Sequence, residues 1–323
     1  FEPERVAAGT WLAKNHPDSF LLKFYNEDIG MGYVLIANLV QSIATFIFLR
    51  KEFLSFKWKF NKALWKEIMI YSMPLIIAGF GGMINETFDR IMLAWWSNAP
   101  TEDAVKIQVG TYGACYKLAI LITLFIQAFR MGAEPFFFKS AQGDNPQKVY
   151  ARVMKFFVIT VCVMFLVVAL YIDTWKHFIQ KKVYWEGLGV VPILLFANIF
   201  LGIYYNLSIW YKVTNKTMAG AWITLAGAAI TLVINYLFIP RFGYMACAWA
   251  TFACYGTMMV ISFKWGQAQY RVPYAWKKLV AYMVIVVLLY FIDQLFLKAG
   301  LNIWINRGFA TMLTLAFIIF VLN

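Results

Sequence analysis

Charge is scarce in this chain. Asp, Glu, Lys and Arg make up 14% of its 323 residues and hydrophobic residues 62%, where a soluble domain carries about 25% charged residues. A water-soluble domain is excluded, because such a chain has too little polar surface to show to water. Histidine is nearly missing: His16 and His177 stand far apart. The four cysteines, Cys115, Cys162, Cys247 and Cys254, all lie inside apolar runs. They form no metal-ligand spacing and no disulfide framework, and read as small buried hydrophobes. No metal site and no cofactor is expected. Acids are scarcer than bases, which leaves a net charge of +13. Nucleic acid is not expected as a partner, because the bases lie in short segments between apolar runs.

Those runs are what the sequence has in quantity. A helix needs about 20 residues to cross a bilayer. Nine runs of roughly that length are present: Gly30–Leu49, Ile68–Trp96, Gly110–Phe138, Phe156–Ile172, Leu188–Trp210, Met218–Phe238, Tyr244–Phe263, Leu279–Leu297 and Gly308–Leu322. The fold expected is an all-α polytopic membrane bundle with membrane lipids as its solvent. Aromatics reach 19%, many at the ends of the runs, as interfacial belts require. Pro74, Pro135 and Pro192 mark expected kinks. The connecting loops are short, so no soluble domain hangs between the spans.

Loop charge then sets an orientation. One alternating set of loops, including Arg50, Lys51, Lys57, Lys59, Lys139, Lys148, Arg152, Lys212, Lys216, Lys277 and Lys278, is far richer in Lys and Arg than the other, which holds Lys106, Lys176, Lys181, Lys182, Arg241, Lys298 and Arg307. The positive-inside rule places the richer set in the cytoplasm. Residues 1–29 are then non-cytoplasmic and the carboxyl terminus is cytoplasmic. The chain begins with Phe1, with no signal peptide in view, and is read as the carboxyl-terminal part of a longer protein.

A charge at membrane depth costs at least a few kcal/mol, so each one is a candidate for function. Arg90, Lys117 and Arg130 lie inside spans, with Glu86, Asp89 and Glu134 beside them. Glu86 and Arg90 are four residues apart on one helical face and can pair, as can Arg130 and Glu134. Tyr112, Tyr116, Thr123, Gln127, Arg130 and Glu134 form one polar stripe. Such a stripe faces a bundle interior or a wet cavity. Internal ion pairs that hold helices together explain part of this pattern. A transport cavity explains it too, with cations for an anionic head group and acids for coupling protons or sodium. The six charges sum to zero. Asn198 with Tyr205, and Thr231 with Asn235, are secondary polar contacts that serve helix packing or substrate alike. Gly79, Gly81 and Gly82 follow no strand and read as close helix packing.

The stretches YSMPLIIAGFGGMINETFDRIMLAWW (71–96), YGACYKLAILITLFIQAFRMGAEPFFF (112–138) and NLSIWYKVTNKTMAGAWITLAGAAITLVINYLFIPRFGYMACAWAT (206–251) resemble, as an ordered set, the bacterial polysaccharide-biosynthesis flippases of the multidrug/oligosaccharidyl-lipid/polysaccharide exporter superfamily. The resemblance covers most of residues 30–323. It implies fourteen helices in the whole protein, of which about nine are here. Residues 30–49 would be the last helix of an amino-terminal lobe, 66–264 a six-helix carboxyl-terminal lobe, and 279–323 two additional helices. It further implies a non-enzymatic transporter in the bacterial inner membrane, which moves an undecaprenyl-pyrophosphate-linked oligosaccharide across for O-antigen, capsule or exopolysaccharide synthesis. A polysaccharide polymerase and its assembly machinery would be neighbours. Carried over by position, Glu86, Asp89, Arg90, Lys117, Gln127, Arg130 and Glu134 would line or gate the cavity. The alternatives are a drug/cation antiporter or lipid II flippase of the same superfamily, and a membrane-embedded polymerase or glycosyltransferase. The last would need a sizeable extramembrane loop.

Overall fold

The computed structural model describes residue 29 and residues 32–55, 59–298 and 303–322. The amino-terminal segment read as non-cytoplasmic lies outside the described residues but for Ile29, and so does Gly30, where the first span was expected to start. The described residues are mostly helical and contain no strand. Contacts divide the chain between Trp65 and Lys66 into two compact units.

The first unit carries α1 (Gly32–Phe48) and α2 (Arg50–Ser55). At 17 residues, α1 is short for a full crossing. Its hydroxyls stay inside the helix: Ser42 donates to the Asn38 carbonyl and Thr45 to that of Gln41. Asn61 caps the next helix, its Oδ1 accepting from the amides of Ala63 (3.1 Å) and Leu64 (3.2 Å). The cap satisfies amides that have no partner within the helix.

That helix, α3 (Lys62–Trp96), leads into the second unit. There follow α4 (Glu102–Ser140), α5 (Pro146–Ala169), the short α6 (Ile172–Trp175), two 3-10 turns (Lys176–Phe178 and Lys182–Val190), α7 (Val191–Leu207), α8 (Ile209–Val213), α9 (Thr217–Phe242), α10 (Tyr244–Gln269), α11 (Trp276–Leu297) and α12 (Ile303–Leu322). Among the described residues, eight helical segments are long and apolar enough to cross a membrane. Each of the expected runs from residue 68 onward overlaps one of them; most are extended by polar turns that hydropathy does not count, whereas Phe156–Ile172 runs past the end of its helix at Ala169. The chain is an all-α polytopic membrane protein.

Local chemistry sets the ends. Thr101 caps α4, its hydroxyl accepting from the Ala104 amide, with Glu102 and Asp103 in the first turn and Lys139 in the last, each complementing the helix dipole. Pro146 opens α5, where its missing N–H costs nothing. Gly243 alone joins α9 to α10 at φ 53°. A side chain there would be strained, and its Cβ would also stand 2.9 Å from Gln108 Oε1.

The centre of the second unit is α7, buried along most of its length against α10, α4 and α5. Val190, Val191, Leu195 and Ile199 meet Cys115, Ala119, Val158, Val161 and Cys162 there, all fully buried. All four cysteines are free and buried. By contrast α3 shows most of its surface, with Ile70, Phe80, Met83 and Trp95 exposed, as suits a helix whose outer solvent is hydrocarbon. The close packing expected of its glycines holds only at Gly81, where a Cβ would lie 3.2 Å from Thr224 of α9. Gly79 and Gly82 face open space.

Candidate functional site

The polar residues singled out in the spans separate into two groups, both in the second unit. The first is closed. Asp89 of α3 is 1% exposed. Its carboxylate accepts from Tyr112 of α4 (2.8 Å), Asn235 of α9 (2.7 Å) and Thr251 of α10 (2.7 Å). One turn earlier, Asn85 Oδ1 accepts from Thr231 of α9 (3.2 Å). Four helices are thereby tied at one point. A carboxylate needs donors when water is absent, and the three neighbours supply them. Asn198 works in the same way, its amide donating to the Ala119 carbonyl and joining α7 to α4 (3.1 Å).

The second group is open. Glu86 is exposed, and Arg90, Tyr116, Gln127, Arg130, Glu134 and Tyr205 are half-buried. The spacing allows a Glu86–Arg90 ion pair, but it does not form. The Arg90 guanidinium lies instead over the Tyr116 ring, 4.7 Å from its centre, while its Nε is buried without an acceptor. The Arg130–Glu134 pair is present at 2.9 Å. Arg130 also lies over the Tyr205 ring of α7 at 4.6 Å. Aromatic faces attract guanidinium groups and hold them flat. Glu86 is within electrostatic reach of both Arg130 and Arg90, and so links the two stations. Lys117 is exposed, one residue along from Tyr116.

Two further charged residues stand outside the candidates that the spacing gives. Lys212, counted as a loop charge, reaches Glu134 Oε1 at 2.7 Å. It is 12% exposed, against 38% for Arg130 and 33% for Glu134, so it is the more firmly held cation. Nothing in the periodicity could find it, since its partner lies 78 residues away. Asp293, a lone acid in the apolar run of α11, was legible as such but was passed over. It is 1% exposed.

The open group therefore holds three cations, Arg90, Arg130 and Lys212, against the two carboxylates of Glu86 and Glu134. Its balance is positive, because Lys212 joins it and Asp89 is occupied elsewhere. The cleft under Arg130 and Glu134 has a volume of about 10 Å³, room for roughly one water. The charges thus point out of the bundle face rather than into a closed pocket. Such a face can hold an anionic group by paired cations and aromatic rings. Among the described residues, no group of three His, Cys, Asp or Glu side chains could hold a metal ion.

Residues 29–141 match the family described as polysaccharide biosynthesis protein. No curated protein and no solved structure matches the chain. The matched stretch contains α1 to α4 entire, and so includes Glu86, Asp89, Arg90, Arg130 and Glu134. The match covers about a third of the chain, and joined to an all-helical, multi-pass membrane bundle it supports, at the coarse level, a polysaccharide-related membrane exporter.

Proposed function

We propose that the chain belongs to a flippase that carries an undecaprenyl-pyrophosphate-linked oligosaccharide across the bacterial inner membrane for O-antigen, capsule or exopolysaccharide synthesis. The observation that carries this reading is the positive, half-open constellation of Arg90, Arg130 and Lys212 on an otherwise apolar bundle. A pyrophosphate is a compact multivalent anion, and planar guanidinium groups match its oxygens in pairs. Tyr116 and Tyr205 hold the two guanidinium groups in place. Glu86 and Glu134 keep the cations oriented while no substrate is bound, and they are exchanged for phosphate oxygens when it arrives. Gln127 and Lys117 are placed along the same helix to contact the sugar or the lipid surface. Asp89, with Tyr112, Asn235 and Thr251 around it, holds the helices behind that face. Transport itself is a rocking of helical lobes around the charged face, with the lipid tail left in the membrane. In this reading no covalent chemistry is done, the partners are the lipid-linked substrate, membrane lipids and the polysaccharide assembly machinery, and the carboxyl terminus is cytoplasmic.

The test is depletion of the full-length protein in its host, with lipid-linked oligosaccharide read by mass spectrometry and surface polysaccharide and drug sensitivity followed in parallel. Accumulated undecaprenyl-pyrophosphate oligosaccharide with lost surface polysaccharide is the expected outcome. Unchanged glycolipid with raised drug sensitivity would overturn it in favour of a drug exporter of the same superfamily.

A further inference from the structure

A second buried acid lies away from the charged face, at the end of the bundle where α6, α11 and α12 meet. Asp293 of α11 is 1% exposed, and its Oδ2 has no hydrogen-bond partner. It lines a cavity of about 40 Å³ together with Tyr171, Asp173, Thr174 and Arg307. That volume holds more than one water molecule. A larger cavity of about 610 Å³ shares Asp173 and Arg307 in its wall and adds Lys176 and His177. By loop charge this end of the bundle is the non-cytoplasmic one.

Four other polar residues of the small cavity are engaged, while the Oδ1 of a fifth, Asn306, is buried without a hydrogen bond. The Tyr171 hydroxyl meets Thr311 Oγ1 at 2.6 Å, Asp173 pairs with Lys176 at 2.5 Å, and Arg307 donates to Thr174 Oγ1 at 3.3 Å while stacking on Trp304. Asp293 Oδ2 is therefore the buried carboxylate oxygen left without a donor in the wall of this cavity. A buried carboxylate oxygen without a donor is costly, and it is relieved by a water, a cation or a proton. The oxygens of Tyr171, Thr174 and Asp173 nearby suit water, and the Arg307 guanidinium in the same wall disfavours a resident cation, which leaves a proton held on Oδ2 itself as the relief.

We propose that Asp293 is a proton-binding site reached by water from the non-cytoplasmic end of the bundle. A hydronium ion in the small cavity gives its proton to Oδ2. A lone pair of Oδ2 forms the new O–H bond, and the departing water keeps the electrons of the broken one. The groups that face Asp293 are Tyr171 and Asp173 from the α6 side, Arg307 from α12 and Tyr290 from its own helix. Lys176 and His177 stand in the outer cavity. Proton loading there charges and discharges the contact between α11, α12 and the end of α5.

The experiment uses the full-length protein in membrane vesicles, treated with dicyclohexylcarbodiimide, which attacks protonated carboxyl groups in apolar surroundings. Adducts are mapped by peptide mass spectrometry over a series of pH values. We expect an adduct on Asp293 whose yield falls about tenfold per pH unit on the alkaline side of its midpoint, and which is lost in Asp293→Asn. The infrared carbonyl band of a protonated carboxyl group, measured on the unmodified protein, should fall over the same pH range. No adduct on Asp293 and no such band at any pH would overturn the proposal. So would an adduct that ignores pH but is blocked by sodium, which would make the site a sodium site. Neither readout uses transport, so the result stands apart from the flippase reading.

Discussion

Asp89 and Arg130 make an instructive pair. Both are charged residues in apolar spans of the same unit, and both lie in the stretch matched to the family. Asp89 is enclosed by three donors from three other helices. Arg130 lies half-open between an acid and an aromatic ring, with 38% of its side chain exposed. A charge at membrane depth is therefore not a site by itself. What separates a helix tie from an available group is whether its hydrogen-bonding capacity is spent inside the protein.

The sharpest way to break that comparison is to remove the tie. Asp89→Ala strands the hydroxyls of Tyr112 and Thr251 and the amide of Asn235 in a dry bundle. It should cost about 3 kcal/mol of stability, at about 1 kcal/mol per lost bond. A thermal melt of the purified protein and its abundance in membranes measure this. If Asp89→Ala is as stable as the native chain but does not transport, the tie is a functional group after all.

Arg130→Gln should do the reverse. Transport of the lipid-linked substrate should fall about 30-fold, equivalent to about 2 kcal/mol, while abundance stays near normal. Arg130→Lys should not restore it, because an ammonium cannot both lie flat on Tyr205 and meet phosphate oxygens two at a time. Equal losses of transport and abundance would place Arg130 with the ties.

Accessibility sharpens the contrast without any transport assay. On a background lacking Cys115, Cys162, Cys247 and Cys254, a cysteine in place of Arg130 should react with a small water-soluble thiol reagent about tenfold faster than one in place of Asp89. Equal inertness at both positions would remove the wet face. The smallest effect belongs to the ring beneath the guanidinium. Tyr205→Leu should reduce transport about fivefold, the worth of a cation–π contact near 1 kcal/mol, while Tyr205→Phe should be close to native. A Phe variant as poor as Leu would show that the hydroxyl, rather than the ring face, is what matters.

Much of the fold was legible in the sequence because hydrocarbon imposes one rule on every span: apolar outside and every backbone group bonded within a helix. Ile68–Trp96 and Leu279–Leu297 could be read from hydropathy alone, and their observed ends differ only by polar turns such as Lys62–Glu67. The Arg130–Glu134 pair was legible for a similar reason, since four residues along a helix is a local distance. Glu86–Arg90 has the same spacing and does not pair. The Tyr116 ring on the neighbouring helix takes the guanidinium, and periodicity carries no information about a neighbour.

The amino-acid sequence by itself determined the solvent and the number and order of the spans from residue 68 onward. All of these follow from composition and from distances along one helix. Only the tertiary structure decided that Asp89 is enclosed, that Lys212 joins Glu134 across 78 residues, and that Asp293 ends a polar cavity. Those outcomes depend on which helix packs beside which, and side chains distant in the chain become partners only once the bundle has closed.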